Sequence, residues 1–383
     1  MPWSRGMSDE RRRMVAQWES GRTPKELAER FGVSRQTIYT FLERWQNEGE
    51  AGLADRSRRP LTSPRKTSRE IEHALLAAKD AHPDYGPDKL VALLADDGIA
   101  LAAPTARDIL RRNGLVKARR GRTRIWSPAH APVLSVPGPG HTMSADYKGQ
   151  ARLGNGRYCY PLTIADPASR YVFAVNAAKI NGGRSAQAVF ERVFRDWGLP
   201  EQIITDNGAP FCASRSIGGL SELGRWWIRL GVTHARIQPG RPQQNGVHER
   251  MHRTLKAKTM QPPATTMRAQ QARFDTFIAE FNHVRPHQAL AQKRPASFVT
   301  PYRRSYPERL PQPEYPDAFL VRRVRSNGAI KWQGEQRFVS EVLVGELVGL
   351  VPISDDSYEL YFGNQHLANW SARECRWVER SRT

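Results

Sequence analysis

The sequence predicts a multidomain protein: an all-α tandem helix-turn-helix N-terminal region, a central α/β domain on a mixed sheet, and a C-terminal small β-barrel. Apolar residues recur at helical spacing through residues 1–118, and runs of β-branched and aromatic residues begin at Thr142. Short strand patterns separated by turn residues follow from Ala318. At 383 residues the chain is too long for one hydrophobic core, so several compact units are expected.

The composition points to a polyanionic partner. Lysine and arginine number 59 against 38 aspartates and glutamates, and the formal net charge is +21. Such a surface attracts nucleic acid, and it would also attract an anionic membrane. The sequence contains no apolar run of about 18 residues and no secretory signal at its start, so we expect a cytoplasmic, nucleoid-associated protein without a membrane partner. The spacing of Cys159, Cys212 and Cys375 fits neither a zinc site nor a disulfide framework.

Residues 1–50 are predicted to form a helix-turn-helix domain of three short helices. The segment FGVSRQT supplies Gly32 for a tight turn and Ser34 as the N-cap of the third helix. That helix would enter the major groove and contact base edges near its N-terminal end. The side chains expected to bind DNA are Arg35, Gln36, Thr37 and Tyr39. A solvated helical hairpin without a DNA role is the alternative.

A second unit with a similar pattern follows the first. Residues 51–67 are basic and contain prolines, which indicates a linker, and residues 68–118 predict a second helix-turn-helix-like DNA-binding domain. Its second reader helix would start near Thr105 and end at Gly114. Residues 119–140 are again basic and proline-rich, and they indicate an extended strap before the next domain.

Residues 141–301 are predicted to form an α/β domain. The segments HTMSADYKG and RYCYPLTIADPASRYVFAVNAA predict three successive strands, and helices then alternate with strands. This order implies a mixed sheet covered by helices on both faces. Residues 318–383 contain several short strands with SNG, DDS and FGNQ turns, which predict the small β-barrel.

Three acidic residues of the α/β domain occupy positions that are rigid enough to hold metal ions. Asp146 ends the first strand, Asp206 ends the strand IITD, and Glu249 lies in the helix after PQQNG. Two-metal phosphodiester chemistry needs hard oxygen ligands around two Mg²⁺ ions about 3.5 to 4 Å apart. Each residue alone has a plainer explanation, as a turn aspartate or a solvated glutamate. Asp166, in TIADPAS, is the main competing carboxylate and is interpreted as a turn residue.

Four stretches in order, ADYKG, ITDNGAPF, QPGRPQQNGVHERMHRTLK and FNHVRPHQAL, resemble the DDE catalytic core of retroviral integrases and many bacterial insertion-sequence transposases, the rve superfamily. The similarity spans about Thr142 to Pro301, and the tandem helix-turn-helix front is similar to the insertion-sequence branch. The resemblance implies an RNase H-like fold. It also implies catalytic and metal-ligand roles for Asp146, Asp206 and Glu249, with two Mg²⁺ ions for which Mn²⁺ could substitute.

The resemblance implies a transposase that binds terminal inverted repeats and then cleaves and joins DNA strands. Its partners would be the double-stranded DNA of transposon ends and target, and it would act as a homo-oligomer, at least a dimer on DNA. ATP is not expected, because the sequence contains no GxxxxGK[ST] loop. Two alternatives stay open: a DNA-binding regulator without catalysis, and an RNase H-type nuclease that cuts without joining.

The helix that carries Glu249 also carries basic residues on the same face. His252, Arg253 and Lys256 follow Glu249 at helical spacing, so cations are expected beside the carboxylate. Matching family positions imply that Arg253 and Lys256 contact the DNA end, and ordinary surface charge is the alternative. Asn245 is expected to fix the start of this helix. The sequence assigns no role to Cys212 or to the Gly218–Gly219 pair.

Overall fold

The computed structural model describes residues 8–57, 66–116, 136–238, 242–354, 357–371 and 376–378. The chain forms two compact units, Met1–Ser68 and Arg69–Thr383. Most of the predicted strap at 119–140, the C-terminal end from residue 379 and residues 58–65 of the predicted linker lie outside the described residues.

The first unit is a helical bundle whose helix ends are encoded locally. Its helices are α1 (Ser8–Glu19), α2 (Pro24–Phe31) and α3 (Arg35–Glu48), followed by a 3₁₀ turn, Gly49–Leu53. The Ser34 hydroxyl accepts a hydrogen bond from the Thr37 amide at 3.2 Å and so caps α3. Gly32 ends α2 with φ of 63°, in the left-handed region that glycine tolerates. The predicted helix-turn-helix is therefore confirmed. Its buried core consists of Met14, Val15, Leu27, Ala28, Ile38, Leu42 and Leu53.

The second unit begins with a further helical bundle. Its helices are α4 (Arg69–Ala81), α5 (Pro87–Asp96) and α6 (Ala103–Arg112). The reader helix predicted from Thr105 to Gly114 corresponds to α6. The α6 side chains Ala106, Ile109 and Leu110 are buried, whereas Arg107 and Arg111 are exposed.

This second bundle packs against the α/β domain through a cluster of charged side chains. The Lys258 ammonium lies 3.3 Å from Asp84, and the Arg285 guanidinium donates to Asp84 at 2.6 Å. The Tyr85 hydroxyl donates to Glu280 at 3.0 Å. Tyr85 is 1% exposed, so its ring is enclosed by this contact. The second bundle is thus built into the unit that contains the α/β domain.

The α/β domain has the predicted mixed sheet. Strand β3 pairs antiparallel with β1, β2 and β4, and the order β1–β5–β6 is parallel. The strands are β1 (Thr142–Tyr147), β2 (Ala151–Arg152), β3 (Tyr158–Ala165), β4 (Val172–Ala178), β5 (Gln202–Thr205) and β6 (Thr233–Arg236). Because β1 and β5 run parallel, their carboxyl ends meet at one edge of the sheet.

Helices cover both faces of this sheet, as the alternation of strands and helices predicted. Helices α7 (Gly183–Trp197) and α8 (Glu222–Arg229) pack against the face that carries Met143 and Ala145. Helices α9 (Gly246–Thr259) and α10 (Met267–Ala279) cover the opposite face. Since side chains alternate along a strand, Ser144 and Asp146 face α9. Asp146 therefore lies between the sheet and the helix that carries Glu249.

The predicted C-terminal barrel is wrong, because the described strands form an open sheet. Five strands pair in the order β13–β12–β11–β10–β7, and β8 and β9 form a separate hairpin. The hairpin packs against the sheet through side chains such as Trp332, whose ring lies 5.5 Å from that of Trp370, instead of closing a hydrogen-bonded ring. The strands are β7 (Leu320–Arg323), β8 (Ala329–Trp332), β9 (Glu335–Phe338), β10 (Leu347–Ser354), β11 (Ser357–Phe362), β12 (Gln365–Ser371) and β13 (Arg376–Val378). Across the described ranges, no helix is long and apolar enough to cross a bilayer.

Candidate active site

Asp146 and Asp206 lie side by side at the carboxyl edge of the parallel strands. The register of β1 and β5 places Ser144 opposite Ile204. Two residues further along each strand, the same face carries Asp146 on β1 and Asp206 directly after β5. The Asp206 carboxylate also accepts a hydrogen bond from the Gly208 amide at 3.1 Å, which fixes the turn after β5. The fold thus brings together two carboxylates that are 60 positions apart in sequence.

The environment of Asp146 disfavours its charge. Burial, together with the neighbouring Asp206 carboxylate, raises the pKa of Asp146 to about 7. Hydrogen bonds from the Tyr147 backbone and from Asn245 oppose this rise only in part. Two negative charges in this position are therefore disfavoured unless one carboxyl is protonated or a cation compensates them.

Helix α9 closes the site from the face of the sheet. The Asn245 side-chain amide donates to Asp146 Oδ2 at 3.1 Å, and His252 Nδ1 lies 3.7 Å from the same oxygen. Glu249 is four residues after Asn245 and three before His252, so helical spacing puts it on the same side of the helix, and its side chain is exposed. The described His, Cys, Asp and Glu side chains include no group of three placed to hold a metal ion. Among the described residues, the structure therefore brings Asp146 and Asp206 together and does not group Glu249 with them.

The chemistry of this donor set fits a hard divalent cation. Mg²⁺ is bound by one or two carboxylates, keeps several waters and takes further oxygens from the substrate. Asp146 and Asp206 supply the two carboxylates, and a bound cation would oppose the effects of burial and of Asp206 that raise the pKa of Asp146.

A buried polar network behind Asp146 holds α9 against the sheet. The Thr163 hydroxyl donates to the Asp146 backbone carbonyl at 2.9 Å. Because a hydroxyl has one proton, His248 Nε2 and His252 Nε2 donate to the same oxygen, at 2.6 and 2.7 Å. The second ring nitrogen of His248 lies 3.0 Å from the Ser144 hydroxyl, which donates to the Ala165 carbonyl at 3.3 Å. The network fixes both the strand of Asp146 and the helix of Glu249.

Both histidines of this network are neutral. Burial lowers the pKa of His248 to about 4 and that of His252 to about 2. The expectation of a cation at His252 is therefore wrong, and the approach of its ring to Asp146 is not an ion pair. The sequence missed the network because helical spacing places His252 on the stripe of Glu249 but does not show how deeply that stripe is buried.

Replacement of Thr163 by Val tests this network. Val keeps the shape but removes the hydroxyl, so the Asp146 carbonyl and both imidazole N–H groups lose their partner. We expect unfolding to require at least about 3 kcal/mol less free energy, since three buried groups lose their partner and each such loss costs about 1 to 3 kcal/mol. Thermal unfolding followed by circular dichroism measures the change. Thr163→Ser keeps the hydroxyl and should behave like the wild type, and equal melting temperatures for Thr163→Val and Thr163→Ser would contradict the assignment.

The remaining sequence-predicted residues lie on exposed surfaces. Arg253 and Lys256 are exposed on α9, on the solvent side of the stripe that carries Glu249. In the first unit, Arg35 and Gln36 are exposed and Tyr39 is 55% exposed at the start of α3. Thr37 differs, because its hydroxyl lies 2.9 Å from the Ser34 hydroxyl and belongs to the helix cap.

Asp166 is placed far from the carboxylate pair. It follows β3, which runs antiparallel to β1, so it lies at the opposite end of the sheet. Its carboxylate accepts hydrogen bonds from the amides of Ala168 at 2.7 Å and Gly140 at 3.3 Å. These contacts are the turn chemistry expected for this aspartate.

Asn245, Cys212 and the glycine pair have roles that the sequence did not reveal. Asn245 makes no side-chain cap hydrogen bond and instead orients Asp146. Arg236 donates to Cys212 Sγ at 2.9 Å and to the Gly218 carbonyl at 2.7 Å. Gly218 has φ of 58°, and a Cβ there would lie 3.1 Å from the Leu367 carbonyl oxygen of β12. The two glycines therefore allow the loop after Asp206 to pack closely against the C-terminal sheet.

Comparison with protein families finds DNA-binding and integrase models along the chain. Two models described as integrase core domain match residues 136–242 and 230–295. A helix-turn-helix domain model matches residues 10–60, and a homeodomain-like domain model matches residues 37–110. The class of protein is thus a helix-turn-helix protein with an integrase core.

Similar proteins include products of bacterial insertion elements. The 31.7 kDa protein of insertion element IS407 from Burkholderia multivorans is 28% identical over 221 residues, covering 57% of this chain and 76% of the relative. The 39.2 kDa protein of insertion element IS476 from Xanthomonas euvesicatoria is 24% identical over 290 residues, covering 75% and 81%. Among solved structures, the simian T-cell lymphotropic virus intasome in complex with PP2A regulatory subunit B56 gamma has 17% identity and a TM-score of 0.38, covering 81% of this chain and 100% of that chain. The integrase core and helix-turn-helix matches, together with these relatives, make the chain similar to insertion-sequence transposases of the DDE type.

Proposed function

We propose that this protein binds the terminal inverted repeats of an insertion sequence and catalyses DNA strand cleavage and strand transfer on an RNase H-like core. The observation that carries the proposal is the pair of adjacent carboxylates, Asp146 and Asp206, with the raised pKa of Asp146. Glu249 is proposed as the third ligand, supplied by α9. Two Mg²⁺ ions, or Mn²⁺, would be held there. When bound, they would activate water or a DNA 3′-hydroxyl and stabilise the leaving oxygen.

The chain's own residues have separable tasks in this proposal. Asp146 and Asp206 bind cations, and Asn245 keeps the Asp146 carboxylate turned toward the site through its 3.1 Å hydrogen bond. The Thr163 network fixes the distance between β1 and α9. Arg253 and Lys256 would position a phosphate of the DNA end, while Arg35, Gln36, Thr37 and Tyr39 would read its sequence. Because two transposon ends must be joined to one target, at least a dimer on DNA is proposed, in the cytoplasm on nucleoid DNA.

An assay on labelled terminal-repeat DNA with Mg²⁺ tests the function by scoring cleaved and joined products separately. A transposase gives both products. Cleavage without joining would identify an RNase H-type nuclease, and sequence-specific binding without either product would identify a regulator. The test needs no ATP, and added ATP should not change the rates.

The first unit should recognise DNA without the rest of the chain. Residues 1–68 contain the complete bundle core, including Leu53, so a fragment of this length should bind terminal-repeat DNA with sequence preference. Its affinity should fall steeply as salt rises, because phosphate contacts release counterions. Fluorescence anisotropy with terminal-repeat and random duplexes at physiological salt measures both effects. Equal affinity for the two duplexes would show that the sequence-reading residues lie elsewhere.

The double change of Arg253 and Lys256 to Ala should weaken capture of the DNA end. Each lost phosphate contact should reduce the slope of log affinity against log salt concentration by about one. Both side chains are exposed, so the melting temperature should stay unchanged while joining falls.

Arg250→Ala is the matched control for this pair. It removes an exposed cation from the same helix, about 100° around the axis from Glu249. Lys258 is a poorer control, because its ammonium pairs with Asp84 and Glu280. Equal joining defects in Arg250→Ala and the double variant would show that the charge on α9 acts diffusely.

A further inference from the structure

A groove opens beside the ends of β3 and β4, outside the carboxylate site. Its volume is about 770 Å³. Three cationic side chains line it, Arg157, Lys179 and Arg268, together with the rings of Tyr158 and Tyr160. The groove belongs to none of the features assigned above, and its residues come from the β2–β3 turn, the end of β4 and the start of α10.

The cations of this groove are uncompensated. Arg157, Lys179 and Arg268 are exposed, and none of them forms an ion pair with a described residue. Within the described part of the chain, no carboxylate lines the groove. Tyr158 is 47% exposed and offers a ring among the cations. Cations interleaved with aromatic rings are the surface that nucleic acids bind, because phosphates meet the charges and sugars or bases meet the rings.

The walls of the groove are held by backbone contacts. The Gly154 amide donates to the Ala264 carbonyl at 3.0 Å, and the Asn155 amide donates to the Thr265 carbonyl at 3.1 Å. A Cβ on Gly154 would lie 3.1 Å from the Thr265 Cα, so the turn and the segment before α10 are in close contact. The cations are therefore presented from a rigid support, which lowers the entropic cost of binding.

The groove lies at the same edge of the sheet as the carboxylate pair. Asp146 is opposite Thr163 in the β1–β3 register, and Tyr160 is opposite Ala178 in the β3–β4 register. Tyr160 is therefore about 10 Å further along β3 than the position of Asp146, at about 3.3 Å per residue. Because side chains alternate along a strand, Tyr160 faces the opposite side of the sheet from Thr163 and Asp146, so DNA engaged at Asp146 would reach the groove by passing around this edge of the sheet.

We propose that this groove binds the phosphate backbone of duplex DNA that flanks the reacting strand. Its place in strand transfer rests on the proposed function, but its affinity for DNA does not. The three cations hold the duplex without reading its sequence, since phosphate contacts position and base contacts specify. A second copy of this chain is the competing occupant.

The test uses the full chain carrying Asp146→Asn, which removes turnover, and a labelled duplex of random sequence over a salt series. The groove variant combines Arg157→Ala, Lys179→Ala and Arg268→Ala. We expect its affinity to fall about 10- to 100-fold at low salt, with a slope of log affinity against log salt smaller by about 0.9 per lost contact. Arg192→Ala, Arg303→Ala and Arg309→Ala together form the control, because these three arginines are also exposed and lie outside the groove. The control should lose much less affinity.

Two results would overturn the groove assignment. One is a groove variant that binds duplex like its parent. The other is a groove variant that changes the oligomeric state in sedimentation while its DNA affinity stays the same, which would identify an interface between copies. If the wild type fails to join terminal-repeat DNA but the groove variant still loses affinity, the proposed function fails and the groove stands. If the wild type joins normally and the groove variant binds like its parent, the groove fails and the proposed function stands.

Discussion

Asp146→Asn and Asp206→Asn should each reduce strand cleavage and joining by more than about 100-fold, since even the loss of an outer-shell partner of a metal ligand costs about 10- to 100-fold. Each change removes one charged oxygen ligand at nearly constant shape. Binding of terminal-repeat DNA should persist, because the proposed reading residues lie in the first unit. Rates of product formation in Mg²⁺, with affinity measured in parallel, check this result. Cleavage within a few-fold of the wild type in either variant would remove that residue from the site.

Asp146→Asn should also stabilise the metal-free protein above neutral pH. The pKa of Asp146 is raised to about 7 in the folded chain, above its ordinary value of 3.8, so ionisation of this group destabilises the folded state as pH rises between these values. Asn does not ionise. Its melting temperature should therefore match the wild type near pH 4 and exceed it at pH 8, both in the presence of a chelator. A lower melting temperature for Asp146→Asn at pH 8 would contradict the origin of the raised pKa.

Glu249→Gln tests whether Glu249, the third proposed metal ligand, is needed for catalysis in addition to Asp146 and Asp206. Its side chain is exposed, so the substitution should leave the stability of the metal-free protein unchanged. Catalysis should nevertheless fall as far as in Asp206→Asn if α9 supplies the third oxygen. Normal cleavage in Glu249→Gln would show that two carboxylates suffice.

Tyr85→Ala should destabilise the second unit by about 3 to 5 kcal/mol, the range for truncation of a buried aromatic side chain. Tyr85 is 1% exposed, and three cations surround its ring, Lys89 at 5.7 Å, Lys258 at 5.3 Å and Arg285 at 4.9 Å from its centre. Removal of the ring leaves these charges without the surface on which they pack. Urea unfolding followed by tryptophan fluorescence measures the loss.

Tyr85→Phe is the control for this change. Phe keeps the ring and loses only the hydroxyl that donates to Glu280 at 3.0 Å, so we expect a loss of about 1 kcal/mol. If Tyr85→Ala unfolds at the same urea concentration as the wild type, the α4–α5 bundle is not held on the α/β domain by this cluster.

The sequence alone was sufficient for the features that depend on neighbouring residues. Ser34 and Gly32 mark helix ends because a cap and a positive φ are local properties. The strand pattern that begins at Thr142 predicted that Asp146 ends the first strand, and β1 ends one residue later, at Tyr147; the order of strands and helices predicted a mixed sheet. Asp206 and Glu249 were selected by their motifs, and their catalytic role stays a prediction.

Only the tertiary structure decided the features that depend on partners distant in sequence. Thr163 and His252 are 89 positions apart, and Tyr85 and Glu280 are 195 apart, so neither contact leaves a periodic signal in the chain. The open C-terminal sheet has the same explanation. Strand patterns in the sequence show which segments can form strands, but they do not show whether the β8–β9 hairpin pairs with the sheet or packs on it. Side-chain contacts such as that of Trp332 with Trp370 decide this. Burial likewise made His252 neutral, because the loss of water around an imidazole is set by the packing of α9 on the sheet and not by helical spacing.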